Sequence, residues 1–178
     1  MDYQIRTYGD KVLRQAAKRV GEVTDEIRHM ADDMLETMYA NDGIGLAAEQ
    51  VGRTEAVCVV DISAAKLNED NIDAVKMPLV MIDPEIEETS GQCAAKEGCL
   101  SFPEIFVEVN RAETVCLAYT DTNGKRQRVD VDGLLARAVQ HEIDHLNGVL
   151  LVDKMSMVEK VAVSGRLKRL KKQAKAAM

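Results

Sequence analysis

Apolar residues recur at helical spacing at Ile27, Met30, Ala31, Met34, Leu35 and Met38, which predicts an amphipathic helix. Thr24 precedes it as an N-cap, Asp25 and Glu26 fill its first turn, and Asn41-Asp42-Gly43 supplies the stop. Residues 1–23 show no such period and are expected to be extended or irregular. Two unbroken apolar runs, Ala56–Asp61 and Leu79–Asp83, read as buried strands, with a polar surface loop between them. Strand-like Thr114–Thr120 and Arg126–Val131 flank Asp121-Thr122-Asn123-Gly124-Lys125, a hairpin signal. Asp132 and Gly133 open a second helix over Leu134–Asn147, and Gly148 is placed to stop it. A last helix is expected over Ser156–Ala176.

This mixed pattern, in a chain of 178 residues that is 46% hydrophobic, predicts one domain spanning 1–178. A net charge of −7, no Trp and only two Phe argue against a general nucleic-acid binder. No apolar run reaches the length of a membrane span, and the N-terminus lacks a basic segment followed by an apolar one. A cytoplasmic, bacterial location without membrane contact is therefore expected. Cys58, Cys93, Cys99 and Cys116 form no CxxC pair and read as reduced thiols, Cys58 and Cys116 within strands. The nine Met residues read as core filling. Arg166–Lys175 carries six cations and no acid, either a solvated face or a contact for an acidic partner such as ribosomal RNA.

The chemistry concentrates in Gln140-His141-Glu142-Ile143-Asp144-His145. This is H-E-x-x-H within a predicted helix, so His141 and His145 share a face and can grip one ion. Glu142 can then reach a bound water without ligating. A catalytic metal site needs a third protein ligand and an open position. The metzincin third His is absent, since residue 151 is Leu, and Glu159 is the only Glu downstream. Cys99, in Glu97-Gly98-Cys99-Leu100-Ser101 at the expected start of a strand, is the better third ligand. His29 matches no site pattern and reads as exposed. A further loop, Gly43-Ile44-Gly45-Leu46-Ala47-Ala48-Glu49-Gln50, has glycines that permit close backbone approach to a ligand but fits no nucleotide-binding fingerprint.

Together these segments resemble the peptide deformylases, whose motifs are GxGLAAxQ, EGCLS and QHExDHLxG; here they read GIGLAAEQ, EGCLS and QHEIDHLNG, in that order. The resemblance spans essentially the whole chain. It implies an α+β fold with antiparallel strands around a central HExxH helix and a C-terminal helix. It implies removal of the formyl group from N-terminal formyl-methionine of nascent chains. By position it makes Cys99, His141 and His145 the metal ligands and Glu142 the general acid/base. Gln50 and the Leu100 amide would stabilise the oxyanion. Gly43, Ile44 and Gly45 would bind substrate, with Leu134 and Ala138 lining the methionine pocket. One divalent ion is implied, Fe(II) in the cell, with Zn(II), Ni(II) or Co(II) in purified protein. Glu49 is expected to add a charge near the site. Arg137, one turn before His141, is expected to narrow the pocket mouth or pair with a peptide carboxylate. From the residues alone three alternatives stand: a zinc protease, an electron-transfer copper protein with a His₂Cys set, and a ribosome-associated binding module.

Overall fold

All four side chains of the strand Val57–Val60 are buried, because helices cover both faces of its sheet. Cys58 and Val60 point into one core and Val57 and Val59 into another, as the two-residue period requires. The structure, a computed structural model, describes residues 3–65 and 75–176. In chain order the elements are α1 (Asp25–Ala40), β1 (Gly45–Ala47), β2 (Val57–Val60), β3 (Leu79–Ser90), β4 (Cys93–Glu97), β5 (Val107–Arg111), β6 (Thr114–Thr120), β7 (Arg126–Asp132), α2 (Gly133–Leu146), α3 (Leu151–Lys154), α4 (Met157–Ala162) and α5 (Ser164–Ala176). Short 3-10 turns lie at Lys11–Arg14, Ala48–Val51 and Ser63–Ala65.

One antiparallel sheet has the order β1-β2-β3-β6-β7, and β4 pairs with β5 in a separate ribbon. Helix α1 covers one face of the sheet with Met30, Met34 and Met38 against Val57, Val59 and Ile82. Helix α2 covers the other, setting Leu135, Ala136, Val139 and Ile143 against Cys58, Met81 and Leu117. A third core gathers Phe102, from the segment between β4 and β5, and Val107 and Val109 of β5 with Leu151, Val152 and Leu170 of the C-terminal helices. This is the expected α+β fold of helices and antiparallel strands, with the HExxH helix packed on one face of the main sheet.

The expected elements hold where the pattern is strong. Thr24 Oγ1 caps α1 by accepting from Ile27 N–H at 3.4 Å. The β6–β7 hairpin forms, with Gly124 at φ 79° in its turn. Helix α2 ends as Gly148, at φ 69°, donates to His145 O and Val149 N–H to Asp144 O. Met30, Met34, Met38, Met81 and Met155 are buried, while Met157 is 75% exposed. His29 is exposed, and Cys58 and Cys116 are buried in strands. Among the described residues no helix is long and apolar enough to cross a membrane.

Four expectations need correction. Strand β3 runs seven residues past Asp83, as bulges let its second half pair with β6. The polar stretch 62–78 is not all surface, because Ile62 and Val75 are buried; its residues 66–74 lie outside the described residues. The terminal helix is split at Val163, which caps α4 before α5 begins. Cys99 follows strand β4 instead of opening a strand, so it sits in a turn that is free to aim its thiol.

Candidate active site

Helix α2 faces the sheet with its apolar side, which turns His141, Glu142 and His145 towards β1 and the β4–β5 ribbon. His145 is 1% exposed and Glu142 4%. The turn after β4 brings Cys99 to the same place. Cys99 Sγ lies 3.3 Å from His145 Nε2, which lies 3.3 Å from His141 Nε2. The three ligand-type atoms fall within 4.8 Å of one another. One soft thiolate sulfur and two imidazole nitrogens converging on a point fit a divalent transition metal and leave a coordination position open. Burial lowers the pKa of His141, but Cys99, Glu97 and Glu142 around it outweigh burial and hold it well above the histidine range. Burial, and the charges of His141 and Arg111, hold His145 well below that range. The anions around His141 thus favour positive charge at its ring, and His145 is kept neutral.

The 3-10 turn Ala48–Val51 presents Gln50 to this cluster. Gln50 Oε1 accepts from Ala47 N–H at 2.9 Å, which fixes the amide. Its Nε2 donates to Ser101 Oγ at 3.2 Å and faces Cys99 Sγ at 3.5 Å. Arg6 N–H and Tyr8 N–H donate to the carbonyls of Gln50 and Ser101, so the N-terminal segment straps both to the site. Gly45 lies against Glu142: a Cβ there would stand 2.8 Å from Glu142 Cδ. Burial raises the Glu142 pKa to about 7. Its Oε2 is buried and has no hydrogen-bond partner among the described residues, as expected of a group waiting for a reactant.

A cleft of about 630 Å³ runs from this point to the surface. Nine of the expected site residues besides Cys99 line it: Gly43, Ile44, Gly45, Gln50, Leu100, Leu134, Ala138, His141 and Glu142. His145 stands behind them. The three cores meet here, with Leu134 packed on the first, Leu100 on the second and Cys99 on the third. Phe106, 70% exposed, lies over Gly98 at the rim, where a Cβ would come 2.9 Å from its ring.

Sequence reasoning missed a charged network behind the histidines. Glu97 Oε2 accepts from His141 Nδ1 at 3.1 Å and Arg111 Nη2 at 2.9 Å. Its Oε1 accepts from Arg111 Nε and Arg137 Nη1, each at 2.6 Å. Arg111 Nη1 also reaches Asp144 Oδ2 at 2.8 Å, and Lys154 approaches the same oxygen at 3.3 Å. Burial alone would raise the Glu97 pKa, yet the His141 and Arg111 hydrogen bonds pull it to about 2. Bonded this way, Nδ1 of His141 keeps its proton towards Glu97, and an ion bound at Nε2 would displace the second proton that the surrounding anions otherwise favour. Glu97 and Asp144 lie inside the recognised motifs, which was the available signal.

The two charged residues expected near the site are both drawn into the protein. Arg137 lines the cleft, and its guanidinium is engaged by Glu97, by Val109 O at 3.0 Å and by Cys93 O at 2.5 Å, which leaves it less available to a peptide carboxylate. Glu49 is fully buried, and burial raises its pKa to about 8, which favours its neutral form and works against the charge expected beside the site.

The family model described as polypeptide deformylase matches residues 2–161. A peptide deformylase of Endomicrobium trichonymphae is 43% identical over 169 residues, 95% of each chain. The crystal structure of a peptide deformylase from Synechococcus elongatus in complex with actinonin is 45% identical, with a TM-score of 0.82 over 92% of this chain and 87% of that one. That of a peptide deformylase from Legionella pneumophila is 35% identical, with a TM-score of 0.85 over 97% of both. A family match over nine-tenths of the sequence, with the family's three motifs folded into one cleft, settles the assignment: this chain belongs to the polypeptide deformylases.

Proposed function

We propose that the chain acts as a single catalytic domain, a metal-dependent peptide deformylase that removes the formyl group from N-terminal formyl-methionine of nascent polypeptides. The observation that carries the site assignment is the meeting of Cys99, His141 and His145 beside the unpartnered Glu142 oxygen at the closed end of the cleft. Cys99, His141 and His145 would hold the ion, which when bound lowers the pKa of a water and polarises a carbonyl. Glu142 takes the proton of the attacking water and returns it to the departing amine. Gln50 Nε2 and the Leu100 amide donate to the oxygen that becomes the oxyanion; such a donor contributes about 3–4 kcal/mol.

The Gly45 backbone admits the substrate chain close to Glu142, and Ile44, Leu134 and Ala138 take the methionine side chain. A missing methylene in such a pocket costs about 1–3 kcal/mol, so selectivity for methionine is moderate. Fe(II) is the ion assigned in the cell, with Zn(II), Ni(II) or Co(II) in aerobically purified protein. The enzyme works in a bacterial cytoplasm.

The test is formate release from formyl-Met-Ala-Ser, with acetyl-Met-Ala-Ser as control and metal content read on the same sample. Formate from the first peptide only, and iron in anaerobically purified protein, are expected. A metal-loaded enzyme that cleaves internal bonds and releases no formate would favour the protease reading instead; anaerobic protein free of iron would overturn the metal.

A second partner follows from α5. Leu170 and Ala174 anchor it, Lys171 stands 5.0 Å from the Tyr8 ring, and Lys168, Arg169 and Lys172 are exposed. These cations guide the enzyme to ribosomal RNA. Because the anchors would be lost on truncation, charge reversal is the cleaner test. Changing Lys168, Arg169 and Lys172 to Glu should weaken ribosome co-sedimentation at low salt; unchanged binding rejects the contact.

A further inference from the structure

The proposed metal ligands come from two elements that no strand pairing joins. His141 and His145 stand on α2, and Cys99 stands on the turn that follows β4. Their relative placement therefore depends on what ties the β4–β5 ribbon to α2. Side chains of α2 do so at several points: His141 bonds Glu97, the Gln140 amide exchanges two hydrogen bonds with the Ala112 backbone just past β5, and two further ties straddle His141 along the helix.

The first lies three residues after His141, where Asp144 of α2 receives Arg111 of β5 at 2.8 Å. The second lies four residues before it, where Arg137 of α2 reaches both strands of the ribbon. Its Nη2 donates to Cys93 O at 2.5 Å at the start of β4, and its Nη1 donates to Val109 O at 3.0 Å in β5. The same Nη1 donates to Glu97 Oε1 at 2.6 Å, at the end of β4 and two residues from Cys99. The side chain is only 12% exposed, so the bonds to Glu97 and Val109 are partly shielded from water, while the bond to Cys93 O lies at the exposed surface. Glu97 in turn orients His141 through Nδ1 at 3.1 Å.

We infer that Arg137 is a positioning residue of this deformylase: it locks the β4–β5 ribbon onto the HExxH helix and so sets the distance between Cys99 and the two histidines. The inference rests on the reading of Cys99, His141 and His145 as ligands. Arg137 touches no reacting atom in this role. A planar guanidinium suits it because three acceptors in different directions are served by one rigid group, which a lysine ammonium on a flexible stem cannot match. Removing partners of this kind behind a ligand typically costs 10–100-fold in metal affinity or activity. Arg111 still holds Glu97 without Arg137, so the lower end of that range applies here.

The test uses Arg137→Met and Arg137→Lys in the full chain loaded with Co(II), whose thiolate charge-transfer band reports the Cys99 bond directly. For Arg137→Met the band shifts, Co(II) passes to a chelator about 10-fold faster, and kcat falls about 10-fold. KM changes equally for formyl-Met-Ala-Ser and its C-terminal amide. Arg137→Lys falls between parent and Arg137→Met, and it carries the test if Arg137→Met does not fold. Band and metal release both unchanged from the parent overturn the inference. A rise in KM confined to the free-acid peptide also overturns it, because it assigns Arg137 to the substrate carboxylate. Absence of the band from the parent itself would instead overturn the assignment of Cys99 as a ligand.

Discussion

Replacing Glu142 by alanine lowers kcat/KM for formyl-Met-Ala-Ser by about 10²- to 10⁴-fold while the bound metal stays at the parent level. The magnitude is that of a positioned general acid/base. The separation of the two effects follows from placement. The three converging ligand atoms belong to Cys99, His141 and His145, and Glu142 supplies none of them. Its Oε2 is buried with no hydrogen-bond partner among the described residues, so truncation breaks no bond at that atom. The variant should therefore fold and melt near the parent, and Glu142→Gln, which keeps the shape but cannot take a proton, should be as inactive as Glu142→Ala. Steady-state rates and metal analysis on one preparation decide the matter. Activity within tenfold of the parent at full metal content would remove Glu142 from proton transfer. Loss of the metal together with activity would make it a ligand.

The parts of this site that sequence discloses are those whose spacing is dictated by a local repeat. His141 and His145 are one helical turn apart and share a face of α2, a consequence of 3.6 residues per turn. Helix α1 and the β6–β7 hairpin were legible for the same reason, through apolar period and turn residues. Strands β4 and β5 were not. Four of the five β4 residues escape full burial, so its Cys-Ala-Ala-Lys-Glu carries no apolar alternation. Strand β5 alternates buried and exposed, but over only five residues. Missing those strands hid the network behind the metal site, because Arg111 and Glu97 meet only once β4 and β5 pair. The bonds from Arg137 and Asp144 to that ribbon join residues 28–44 positions apart, and no spacing rule reaches across such separations. Arg137 looked like a free cation on the histidine face for this reason, although the protein itself consumes its donors.

Glu49→Gln should be more stable than the parent by about 2–4 kcal/mol at pH 8, and within about 1 kcal/mol of it at pH 5. Glu49 is fully buried on the 3-10 turn that carries Gln50, and neither carboxyl oxygen has a partner among the described residues. Burial, with the Glu142 and Glu55 carboxylates nearby, raises its pKa from 4.5 to about 8, and the proximity of its own backbone N–H, outside hydrogen-bond geometry, offsets only part of this. In the unfolded chain the group ionises near the ordinary value. Between the two pKa values the unfolded chain has lost the proton and the folded one keeps it, so unfolding releases a proton. The contribution of Glu49 to stability is therefore fully present below the ordinary value and is lost as pH rises, by up to about 1.4 kcal/mol per unit, levelling off above pH 8 where both states are charged. Glutamine has nearly the same shape and no proton to lose, so the variant lacks this slope. Burial also raises the Glu142 pKa, but Glu142 is present in both proteins and its contribution largely cancels in the comparison. Urea melts of parent and variant at pH 5, 6.5 and 8 measure the gap. A gap that does not widen with pH would mean that Glu49 ionises inside the fold near its ordinary value, and therefore that its carboxylate does bring a negative charge to the turn beside Gln50.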